Sequence, residues 1–146
     1  MANNTDISNA AAKAACDAVV DLLDAHATLP GHLDVYDDVQ PASVDAGPGV
    51  KTLLAVCTLN DPAFGAAADA TPGGQATMDA TPAPADTSAD ASGTADWFRG
   101  EDGSDVGVVH GSAWSTGTVD MTLDNAVINA GQTVTITSWT VTMGEG

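Results

Sequence analysis

After residue 32, apolar residues recur with a period of two in several segments separated by loops, and this limits the possible folds more than any other feature. "HLDVY" puts Leu33 and Val35 on one side, and "TVDMTLDN" puts Val119, Met121 and Leu123 together. Successive strand side chains point to opposite faces, so these segments read as strands. "KTLLAVCTL" carries Leu53, Ala55, Cys57 and Leu59 on one side and Leu54 and Val56 on the other, the pattern of a central strand covered on both faces. In "TVTITSWTVTM" the phase slips: Val134 and Ile136 share one parity, Trp139, Val141 and Met143 the other. A β-bulge near Ser138-Trp139 reconciles them, because one extra residue reverses the parity of everything after it.

Ahead of the strands, "TDISNAAAKAACDAVVDLLDAHATLPG" predicts a helix over about residues 6–27, capped by Thr5 or Asp6 and stopped by Pro30-Gly31. Ile7, Ala11, Ala14, Ala18, Leu22 and Ala25 are expected on its buried face, widened by Cys16, Val19 and Leu23, with Asp17, Asp21 and Asp24 turned to the remaining surface. An alanine-rich face lets a partner come close while gaining little area per residue. "TADWFR" and "VGVVHGSAW" read as the two arms of a hairpin in which Trp97 or Phe98 turns inward. The tip "GEDGSD" offers Gly100 and Gly103 for the left-handed positions, and its acids should be solvating. "TPAPADTSADAS", about residues 81–92, reads as an exposed low-complexity loop. The expectation is a single domain over 1–146, β-rich over 32–143: a mainly β fold, an antiparallel β-sandwich of about seven strands with one N-terminal α-helix.

Charge narrows the conditions under which such a fold holds. Three Lys+Arg stand against 20 Asp+Glu, a formal net charge of −17. Repulsion among so many carboxylates works against compaction, and at roughly 1 M salt the screening length falls to about 3 Å. The balance therefore points to adaptation to high salt. Lys13, Lys51 and Arg99 are scattered, so no surface for nucleic acid is expected. Only 27 of the 146 residues are Leu, Ile, Val or Phe, so stability is expected to come partly from burial against neighbouring subunits, as in a homo-oligomer or a larger assembly. No apolar run approaches the ~18 residues of a membrane span, and "MANNTDISNAAAK" has no basic region followed by an apolar one, so synthesis in the cytoplasm and no membrane partner are expected.

A search for chemistry finds little. Cys16 and Cys57 lack CxxC or CxxH spacing and read as two buried thiols, with a disulfide between them an open alternative. "GHLD" places His32 and Asp34 two apart, as on one face of a strand, without a third ligand that the sequence points to; His26 and His110 stand alone. Around Arg99 lie Asp96, Glu101, Asp102 and Asp105, but "DWFRGEDGSDVG" has neither the ligand order nor the closing Glu of an EF-hand loop. No metal site, cofactor or catalytic residue is expected; Glu101, Asp102 and Asp105 come nearest to an adventitious cation site. Arg99 is expected to pair with Asp96 or Glu101 on the surface, where such a pair contributes at most about 1 kcal/mol. No GxSxG elbow is present, and "GPGVKT" lacks the spacing of a phosphate loop. Trp97, Trp114 and Trp139 are assigned to the core, with an exposed carbohydrate-binding platform as the alternative.

The phrases "NAAAKAACDAVVDLLDA", "LLAVCTLNDPAFGAAA", "TSADASGTADWFR" and "INAGQTVTITSWTVTM" together resemble the small virion structural proteins of tailed viruses of bacteria and archaea. The resemblance covers most of the chain; the added acids and the longer "HATLPGH" and "TPGGQATMDATPAPAD" segments depart from it, and the acids are similar to those of proteins from viruses of halophilic archaea. It implies a non-enzymatic virion subunit, associated with the head as a decoration or vertex (turret-type) protein, with the major capsid protein or tail proteins as partners. A tail-associated protein or a host-glycan-binding β-sandwich with calcium at "GEDGSD" are the alternatives.

Overall fold

The computed structural model describes residues 6–70 and 73–144. In chain order the elements are α1 (Asn9–Val20), β1 (His32–Tyr36), a 3-10 turn (Val44–Ala46), β2 (Leu53–Thr58), β3 (Ala68–Ala70), β4 (Gly73–Thr77), β5 (Ala85–Asp86), β6 (Gly93–Thr94), β7 (Trp97–Glu101), β8 (Gly107–Trp114), β9 (Met121–Leu123), β10 (Val127–Ile128) and β11 (Val134–Met143). The fold is mainly β with one N-terminal helix, a β-sandwich-like class. Strands run in the order β2-β1-β7-β8-β9-β11-β4-β3, with β5 also paired to β11, and β10 pairs with β6 apart from them. This long sheet folds over on itself. Phe98 of β7 meets Trp139 of β11 edge to face at 5.2 Å, and the Cys57 thiol of β2 reaches the Val134 carbonyl at 3.7 Å. All pairings are antiparallel except β8 with β9, where residues 115–120 loop back and the Asp120 carboxylate accepts from the Ser112 N–H and hydroxyl.

The bulge is where the parity slip puts it. On β11 the register against β9 shifts between Ile136 and Ser138, so that Thr137 and Ser138 are both exposed and Trp139 returns to the core with Val134 and Ile136. Thr122 answers both bulged residues, its hydroxyl 2.9 Å from that of Thr137 and 2.6 Å from that of Ser138.

Three expectations are corrected. The helix is shorter than 6–27: Ser8 caps it through Ala11 N–H, and past Val20 the chain passes into turns through Asp24; Thr5 lies outside the described residues. Its buried face is Ala12, Cys16 and Val20, continued by Leu23, whereas Ile7, Ala11, Ala14, Ala18, Leu22 and Ala25 are exposed. Counting each Ala as equal to a larger residue picked the wrong stripe, since burying Cys, Val and Leu gains more area. Close approach does occur: a Cβ on Gly74 of β4 would overlap the backbone of Lys13. Asp17 and Asp24 also face inward enough to accept from Ala67 N–H and Ala63 N–H, pinning the 61–67 segment.

Second, β2 is not central. It ends the hydrogen-bonded order, and its open side is covered by the 86–91 segment, where Asp86 accepts from Val56 N–H and Leu54 C=O accepts from Asp90 N–H. Third, the 81–92 stretch is not an exposed loop: β5 pairs with β11, and the buried Ala89 donates its N–H to Gln132 C=O. Both cysteines are buried free thiols, and burial pushes Cys57 up to about 12.

Candidate functional site

The hairpin β7–β8 forms as its alternation requires, with β7 between β1 and β8. Register then sorts the side chains. Leu33, Val35 and Phe98 point into the core, while the opposite parity aligns His32 with Glu101, Asp34 with Arg99 and then His110, and Tyr36 with Trp97. Trp97 and Phe98 are therefore both buried, on opposite faces of one strand. Tyr36 stacks on Trp97 at 4.5 Å, and the indole N–H donates to Asp37 C=O, so one end of the outer face is closed by aromatic rings.

At the other end lies a charged cluster. His32 Nε2 is 3.2 Å from Glu101 Oε2, 3.6 Å from Asp105 Oδ1 and 3.7 Å from Asp34 Oδ1. Arg99 donates to the other Glu101 oxygen, Oε1. The guanidinium lies over Gly107, where any Cβ would overlap it. Asp34 is 8% exposed and Glu101 4%, the two buried charged residues among those described. The Tyr36 hydroxyl donates to Asp34 Oδ2 at 3.0 Å, while Asp34 Oδ1 and Arg99 Nε are buried without a hydrogen-bond partner. Burial raises the Asp34 carboxyl above the usual carboxylate range, opposed by the Tyr36 hydrogen bond and the nearby His32 and Arg99 and reinforced by Asp105.

These positions revise the reading of the hairpin tip. Its acids do not all face water, because Glu101 turns inward, and the Arg99–Glu101 pair is half-buried, not a surface pair. Asp102 stays outside the cluster: its Oδ1 accepts from Ser104 and Val106 N–H and shapes the turn. The left-handed residue of the tip is Asp105, with φ 61°, and neither glycine of "GEDGSD" takes that conformation; a short polar side chain tolerates it. Of the three residues nearest to a cation site in the sequence, Glu101 and Asp105 come together and Asp102 does not. His32 completes the group, with Asp34 beside it at 3.7 Å. Their two-residue spacing was visible, but Glu101 is 69 residues from His32, and only the β1–β7 register joins them.

Among the tryptophans, Trp97 and Trp139 are core residues and Trp114 is 37% exposed by itself, which removes the three-tryptophan platform. His110 lies edge-on to Trp97 with its Nδ1 buried and unpartnered. His26 uses Nδ1 to accept from Thr28 and Leu29 N–H. No helix among the described residues is long and apolar enough to cross a membrane. The chain matches no known family model, no curated protein and no solved structure.

Proposed function

We propose that this protein is a non-enzymatic structural subunit of a tailed-virus particle, adapted to high salt and associated with the head as a decoration or vertex protein. One observation carries the assembly part of this reading. In a chain with only 27 Leu, Ile, Val and Phe residues, Leu22, Leu29, Val39, Val50, Val106 and Val127 are each more than half exposed. They are also distributed: Val39 and Val50 lie in the connection after the Tyr36 end of β1, and Leu29 abuts Gly103 in the hairpin tip beside the His32 end. Apolar surface at both ends of a module suits contact with more than one neighbour. The viral and head-associated parts rest on the resemblance of the four sequence phrases, and the salt adaptation on the charge of −17.

The test is quantitative mass spectrometry of purified particles of the virus that encodes the chain. High copy number relative to the major capsid protein is the expected result. Absence from particles, with the chain left in the soluble fraction, refutes the proposal.

A further inference from the structure

We propose that His32, Glu101 and Asp105, with Asp34 beside them, form a binding site for one divalent first-row transition ion of the Zn2+ type, clipping the hairpin tip to the start of β1. The site goes beyond the structural role and does not depend on it. Its geometry is that of a ligand shell. Ligands at about 2.0–2.1 Å around a tetrahedral ion lie about 3.3 Å from one another, and the Glu101 and Asp105 oxygens are 3.2 and 3.6 Å from His32 Nε2. The ligand atoms of His32, Glu101 and Asp105 all fall within 4.8 Å of one another.

A second observation comes from Asp34, whose Oδ1 is buried without a hydrogen-bond partner and lies beside His32 Nε2, in a residue only 8% exposed. A buried carboxylate oxygen without a hydrogen-bond partner costs free energy, and a cation held beside it on His32, Glu101 and Asp105 reduces that cost. Charge agrees: three carboxylates face one Arg99, leaving two negative charges, which a divalent ion balances and a single proton on His32 does not. Arg99 holds Glu101 by Oε1 and leaves Oε2 turned to the imidazole, the kind of outer contact that orients a metal ligand. The imidazole selects the class of ion, because calcium and magnesium take oxygen shells whereas zinc and its neighbours accept nitrogen.

The site can be tested on the full chain, stripped with chelator and titrated with ZnCl2 alone by calorimetry in 2 M KCl, where diffuse attraction to the acidic surface is screened. The expected result is one Zn2+ per chain with micromolar or tighter affinity, weakened at least tenfold in His32→Ala and in Asp105→Asn and unchanged in Asp102→Asn. Asp105 is exposed, so its substitution leaves the fold intact and keeps the test valid if the His32 variant unfolds. Ca2+ at equal concentration should not displace the Zn2+. The proposal fails if no stoichiometric binding occurs, if binding survives Asp105→Asn, or if Ca2+ competes equally.

Discussion

Leu33, Val35 and Phe98 on the inner face of β1 and β7, and Asp34 and Glu101 on the outer face, are separated by one backbone thickness yet are buried for different reasons. The inner residues leave water because their surface is apolar and they join one core in which Trp139 packs on Phe98. The outer ones are charged and buried at a cost that their pairing only partly offsets. In a chain short of large apolar side chains, the second face is thus a place where stability is given up, and the clustering of ligand atoms there is the physical reason to look for function on it. Both faces use the same two strands, so each can be perturbed while the other serves as the control.

The largest effect should come from the inner face. Phe98→Ala removes the ring that meets Trp139 and is expected to cost about 3–5 kcal/mol, read as a lowered denaturation midpoint in concentrated KCl; a loss below about 1 kcal/mol would mean that this core is loosely packed. Next is Arg99→Ala, which leaves the buried Glu101 Oε1 without its charged partner and only His32 at Oε2. A loss of about 2–3 kcal/mol is expected, against almost none for a surface pair, while Arg99→Met combined with Glu101→Leu should restore most of it. If the double variant is as unstable as the single one, charge is not what distinguishes the outer face. The smallest effect belongs to the turn: Asp102→Ala deletes the acceptor for Ser104 and Val106 N–H and should cost about 1 kcal/mol, measured by the same unfolding curve.

How far the sequence reaches is clear from particular residues. The strands and hairpin were legible because alternation is a local property, and so was the bulge, since a parity slip leaves two adjacent exposed residues, Thr137 and Ser138, wherever the strand lies. The helix face was misjudged because alanines at every turn leave the choice of stripe to what packs above it, here Gly74 and β11. The edge position of β2 was hidden because the 86–91 segment covers its open side, which makes an edge strand look like a central one.

The period of two, the bulge, the acidity and the scarcity of large apolar residues were determined by the chain itself, since each depends only on residue type and spacing. Which acids turn inward was decided by tertiary structure. Glu101 and Asp102 are neighbours of the same charge, and only the antiparallel register of β7 against β1 places one beside His32 and leaves the other capping a turn. Local chemistry sets what a side chain can bind, but pairing between distant strands sets what it meets.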